Sequence, residues 1–198
     1  MMIASVRDDS WQNMQLGAGV LLRNADFSRV KTAAAMREAV ADAMMRDDCI
    51  IGATKDGGTF TCRPMLRSTE GDARRTAAAS AVVNDGWTVR MTGTLMEITP
   101  GSFAMTVGPA SAEKNGAATE ICTKGDVQEG FLHHLCWVGD TSRGFLLIEM
   151  HGVMSTGGAV LRMHEDGSGE MPFDLQAHAM GEDNGVAPCR IVFLEENE

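Results

Sequence analysis

A mainly β chain, a β-sandwich or barrel with one flanking α-helix, is what this sequence predicts, and three observations predict it. The stretch VNDGWTVRMTGTLMEITPGSF (residues 83–103) alternates for longer than a small domain needs. Trp87, Val89, Met91 and Leu95 fall on one side of an extended chain there, and Thr88, Arg90, Thr92 and Thr94 on the other. Further along, short apolar runs are spaced by glycine-rich turns, as in all-β architectures. Helical spacing appears with conviction only once.

That helix is TAAAMREAVADAMMRDD, where Ala33, Met36, Val40, Ala43 and Met44 recur three or four apart and alanine supplies high propensity; it predicts a helix over residues 32–46. Next, CIIGAT and TFTCRPMLRS flank Lys55-Asp56-Gly57-Gly58, which reads as a hairpin around an Asp-Gly turn. Pro64 places the second of these strands at an edge or on a bulge. STEGDARRTAAASAVVNDG then reads as a long loop, about residues 68–84, too rich in small residues to hold itself down. The extended run from Trp87 to Ile98 would span about 40 Å at roughly 3.4 Å per residue. After it come TEICTK, FLHHLCWVGD, the turn DTSRG, GFLLIEMHGVM, AVLRMHE, MPFDLQAHAM and RIVFLEE.

Three of these runs are informative about faces. Phe173, Leu175, Ala177 and Ala179 alternate with Asp174, Gln176 and His178. Leu146, Ile148 and Met150 share a face, opposite Phe145, Leu147, Glu149 and His151, so that a wet side is expected to begin at Glu149. FLHHLCWVG is apolar on both faces apart from His133 and His134, which suits an interior strand.

With 198 residues, 44% of them hydrophobic, the chain has enough for one well-cored domain, taken as residues 1–198. A formal charge of −10 argues against a nucleic-acid reader or a protein of anionic membranes. Cys49, Cys62, Cys122, Cys136 and Cys189 are odd in number and lack a C-x-x-C, which predicts reduced cysteines rather than a disulfide framework or zinc site. Arg7, Asp8 and Asp9 interrupt any signal-like apolar run, and no window suits a membrane span, so a soluble protein made in a cytoplasm is expected.

Nucleophile-elbow, phosphate-loop, dinucleotide and zinc-protease signatures do not occur, which argues against an enzyme. The best constellation for chemistry is Glu149, His151, Asp174, Gln176 and His178 with His133 or His134 nearby, a set that could ligate a divalent ion. The same residues read more simply as the polar half of an alternating sheet, so no metal, cofactor or catalytic residue is assigned. Trp87 and Trp137 each head an apolar face and are expected to pack in the core. Arg74 and Arg75, in the long loop of an acidic protein, suit a carboxylate on a neighbouring subunit.

LGAGVLLRNADFS, the alanine-rich helix, GATKDGGTFTCRP, NDGWTVRMTGTLMEITPGSF, WVGDTSRGFLLIE and PFDLQAHA, in this order, resemble the major tail protein of long-tailed phages and prophages. The resemblance implies a β-sandwich or barrel flanked by a helix. It implies a structural protein that self-assembles into six-subunit rings, stacked as a tail tube through which the genome DNA passes without tight binding. Its partners would be itself and other tail proteins, with no membrane, and its place the virion, assembled in the host bacterial cytoplasm. Four strands from each of six subunits, at roughly 4.8 Å per strand, would close a wall about 37 Å across. Thr88, Arg90, Thr92, Thr94, Glu149, His151, Asp174, Gln176 and His178 would then line the lumen, and Arg74 and Arg75 would reach the adjoining ring. The inner tube of a contractile injection or type VI-like secretion device resembles the same pattern, and a small cytosolic barrel binding a metal or ligand is the reading from a different class.

Overall fold

The computed structural model describes residues 15–68, 82–127, 129–165, 167–180 and 185–196. The chain is mainly β and its sheets are antiparallel. In order run β1 (Gln15–Arg23), α1 (Ala33–Met44), β2 (Thr54–Ser68), β3 (Val82–Leu95), α2 (Pro100–Val107), β4 (Ala110–Asn115), β5 (Ala118–Thr123), β6 (His133–Thr141), β7 (Gly144–Ser155), β8 (Arg162–Met163), β9 (Gly169–Ala177) and β10 (Cys189–Glu195). The main sheet has the order β1-β6-β7-β9-β3-β2, with β10 added to β7 and β8 to β9, while β4 and β5 form a separate hairpin.

The main sheet curls around one apolar cluster. Leu21, Leu135, Ile148, Met150, Val153, Leu175, Val89 and Met91 all point into it, from five strands. The two ends of the sheet meet near β1: Cys49 and Ile50, just ahead of β2, are joined to Arg23 and Leu22 by a backbone hydrogen bond of 2.8 Å and an isolated bridge. Trp87 and Trp137 pack against this cluster, as expected of core aromatics.

A second cluster lies on the opposite side of β1, β6, β7 and β10. There α1 lays Met36 and Ala43 over Leu22, Cys136, Val138, Leu147 and Leu194, with Phe27 and Cys49 closing the ends. The helix begins where the sequence places it, since the Thr32 hydroxyl accepts the Ala35 N–H at 3.2 Å as an N-cap. Met44 is half exposed and turns away from this layer.

Four expectations change. Residues 54–68 form one strand and not a hairpin: Asp56 and Gly57 take left-handed φ of 55° and 74°, and the register with β3 slips between Lys55 and Gly58. The Asp-Gly signal therefore marks a bulge, because β3 is long enough to pair with both sides of it. Pro64 sits at a second register slip on the edge strand, as its missing N–H requires. The long alternating run stops at Leu95, and Pro100–Val107 is helical; Thr99 caps it in a capping box with Ser102, and Pro100 opens the first turn. Ala179 lies beyond the end of β9 and is exposed. The predicted loop is shorter at both ends, because Ser68 belongs to β2 and residues 82–84 to β3; residues 69–81, including Arg74 and Arg75, lie outside the described residues.

On β9 the alternation is realised in full: Met171, Phe173, Leu175 and Ala177 are buried, and Pro172, Asp174 and Gln176 are half-buried on the other face. Leu175→Asp should therefore cost about 4 kcal/mol or more, by placing an unpaired charge in the core, and Gln176→Ala about 1 kcal/mol or less. Urea denaturation of the two variants checks this, and comparable stabilities would overturn the assignment of faces.

Candidate functional site

Two polar regions emerge, on different parts of the sheet. The first is the outer face of β2, β3 and β9. Register sets it in rows: Thr59 faces Thr92 and Thr92 faces Asp174, Thr61 faces Arg90 and Arg90 faces Gln176, and Arg63 faces Thr88. Arg90 is exposed, and Thr88, Thr92, Thr94, Asp174 and Gln176 are half-buried. Side chains in such rows touch because directly opposed residues lie about 5 Å apart.

Two cations on this face, Arg90 and Lys55, are matched by carboxylates. Arg90 grips the Asp174 carboxylate through two guanidinium nitrogens, and Lys55 meets Glu170 at 2.5 Å. Arg67 holds Asp85 through bonds of 2.8 and 3.1 Å toward the far end of the β2–β3 ribbon. Hydrogen bonding to Arg90 holds Asp174 below the usual carboxylate range. A lowered folded-state value means that this pair stabilises at pH above the ordinary Asp range and that the gain fades as pH falls through the lowered value. With Arg90 half exposed, solvent screens the pair and its contribution to stability is small.

The second region is buried. Counting outward from the turn at residues 142–143, Thr141 faces Gly144, and five steps on Cys136 faces Glu149; on the other side of β7, Glu149 faces Arg190 of β10. Glu149 is only 1% exposed. Its Oε2 accepts from Arg190 at 2.7 Å, while Oε1 lies 3.8 Å from His134 Nε2, and neither of those last two atoms has a hydrogen-bond partner among the described residues. His134 lies against exposed His151 in a tilted arrangement, with ring centroids 4.7 Å apart and 41° between the ring planes. Burial, followed by His151, pushes the His134 imidazole below its ordinary value, so the ring is neutral near pH 7.

The nine residues expected on one wet face are therefore divided. Thr88, Arg90, Thr92, Thr94, Asp174 and Gln176 share the β3–β9 surface. His178 lies past the end of β9, its backbone N–H on the Gly152 carbonyl at 3.1 Å and its Nε2 buried without a hydrogen-bond partner among the described residues. Glu149 is corrected outright: no wet side begins there, because α1 and the segment after β1 cover that face of β7. The set of carboxylates and imidazoles from β7 and β9 also separates, Asp174 pairing with Arg90 and Glu149 with Arg190. Cys136 and Arg190 went unselected in the sequence, although counting residues from the DTSRG turn would have set Cys136 opposite Glu149.

A third feature is a cleft of about 590 Å³ where β1 and β2 approach, lined by Leu21, Phe60, Met91, Trp137, Ile148 and Phe173. No protein-family model and no curated protein matches the chain. Among the described residues, no helix is long and apolar enough to cross a membrane.

Because Glu149 is buried with Arg190 as its one hydrogen-bonded counter-ion, Arg190→Met should cost about 2–4 kcal/mol, and adding Glu149→Met should restore much of that loss by removing the stranded charge. A double-mutant cycle by urea denaturation in EDTA measures it. Simple additivity of the two costs would show that the pair is not coupled.

Proposed function

We propose that this chain is a structural subunit of the tail tube of a long-tailed phage or prophage, one that assembles with copies of itself into six-membered rings and stacks those rings. The observation that carries the reading is the three-stranded polar surface of β2, β3 and β9, backed by an apolar cluster that Phe60, Cys62, Trp87, Val89, Met91, Leu95, Phe173 and Leu175 supply or pack against. β2 and β3 are 15 and 14 residues long, roughly 50 Å of extended chain, against 5 to 6 residues for a mean strand. Such strands suit a wall with one side toward water. β2 also stands at the edge of the sheet, where its outer hydrogen-bonding groups can meet another copy.

The chemistry of that surface fits a conduit. Threonine hydroxyls dominate, and Arg90 and Lys55 are matched by Asp174 and Glu170, which leaves Arg63 as the cation in these rows without an ion pair among the described residues and so limits the positive charge available to hold phosphates. A chain with a formal charge of −10 lets DNA pass instead of retaining it. Residues 69–81, with Arg74 and Arg75, connect the far ends of β2 and β3, and in this reading they dock on acidic groups of the adjoining ring. A second reading, a small ligand-binding barrel, draws on the apolar cleft between β1 and β2, whose volume lies in the range of small-molecule pockets.

Electron microscopy of concentrated protein separates the two. Rings or tubes are expected; a strict monomer that binds a small apolar ligand stoichiometrically would favour the second reading and overturn the first. Replacing residues 69–81 with a Gly-Ser linker should leave a folded subunit with near wild-type thermal stability but abolish tubes. Tubes that persist would make the loop idle in assembly, and a variant that does not fold would make it part of the core.

A further inference from the structure

The buried row across β6, β7 and β10 holds more ligand-capable atoms than its hydrogen bonds use. A ring nitrogen of His134, Cys136 Sγ and a Glu149 carboxylate oxygen all lie within 4.8 Å of one another. Two atoms of these groups, His134 Nε2 and Glu149 Oε1, are buried without a hydrogen-bond partner among the described residues, an arrangement that is costly unless something fills it. The thiol has only a weak bond, to the Ala25 carbonyl at 3.2 Å.

We infer that His134, Cys136 and Glu149 form a binding site for one borderline-soft divalent transition-metal ion of the Zn²⁺ class, which clamps β6 to β7 beneath the segment that follows β1. The spacing suits such an ion. Metal–ligand bonds of roughly 2.0–2.3 Å at tetrahedral angles set ligand atoms about 3.3–3.7 Å apart, close to the 3.8 Å between His134 Nε2 and Glu149 Oε1. One sulfur, one nitrogen and one oxygen select against Ca²⁺ and Mg²⁺, which take oxygen ligands. Three protein ligands leave a fourth position for water.

The surroundings are arranged as a supporting shell. Arg190 occupies Glu149 Oε2, which orients the carboxylate and leaves Oε1 toward the other two ligands. His134 is neutral near pH 7, as a ligand must be, and about a quarter of its side chain is exposed, beside His151, which gives the ion a way in. Burial and the Glu149 charge push the Cys136 thiol far up, so its thiolate forms only with a cation beside it; on binding, the S–H bond is exchanged for a metal–sulfur bond and the proton goes to solvent. Asp26 acts electrostatically on both His134 and Cys136. With Asp26, Glu149 and the thiolate negative, Arg190 positive and the ion divalent, the local charges cancel.

This site is independent of the tube reading, and either can fail alone. CoCl₂ is titrated into the EDTA-treated full-length chain. One equivalent should bind with a thiolate-to-cobalt charge-transfer band in the near ultraviolet and the intense visible bands of four-coordinate cobalt, and ZnCl₂ should bleach both. X-ray absorption of the zinc-loaded wild-type chain should show one sulfur and two or three nitrogen or oxygen neighbours. Cys136→Ser should remove the charge-transfer band, and His134→Gln should weaken cobalt binding about tenfold or more. The inference is overturned if the wild-type chain binds no stoichiometric cobalt, if the metal has no sulfur neighbour or more than one, or if the band survives in folded Cys136→Ser.

Discussion

Everything in the β1–β6–β7–β10 half follows from β7 having no wet side along Gly144–Met150. One face of it belongs to the cluster that the curled sheet encloses, and the other lies under α1 and the segment after β1. Its neighbour β6 is likewise shared between the two clusters, which explains why it is apolar at consecutive positions from Leu135 to Val138. Burial of β7 on both faces also explains why Glu149 cannot remain solvated: an ionised carboxylate 1% exposed persists only with partners, and Arg190 on the adjoining β10 supplies one.

β7 satisfies two neighbours in turn along one edge. Over Gly144 to Met150 it pairs with β10, and over Val153 to Ser155 with β9. Between them lies one extra residue, since Leu135 faces Met150 while His133 faces Val153. Gly152 occupies this bulge at φ 58°, and a Cβ there would lie 2.5 Å from the His178 carbonyl oxygen. The bulge keeps Met150 and Val153 in the same cluster despite the odd spacing, and it is the point where the covered half of the sheet gives way to the open half.

The open half has the opposite economy. Val89, Met91, Leu95, Phe173 and Leu175 turn inward, and the threonines and paired charges of β2, β3 and β9 turn outward. One chain thus offers a polar sheet surface on rigid, long strands, beside a covered half that anchors it. That division suits a subunit whose working surface is a wall, while the unsatisfied atoms near the segment after β1 belong to the anchoring half and to its stability.

The amino-acid order by itself determined what local periodicity can carry. The alternation of β3 and β9, the span of α1 with its Thr32 cap, the interior character of β6 and the edge position of Pro64 all rest on neighbours in sequence, where a face or a cap is set within a few residues. The start of α2 was equally local, in Thr99, Pro100 and Ser102, but the preceding alternation masked it. Tertiary structure alone decided the rest. Whether Asp56-Gly57 turns the chain back or bulges within a strand depends on the length of β3 opposite it. Whether Glu149 meets water depends on what covers β7, because alternation tells two faces apart without saying that either is wet. The meeting of His134, Cys136, Glu149 and Arg190 required the register of three strands, a relation that no single strand encodes.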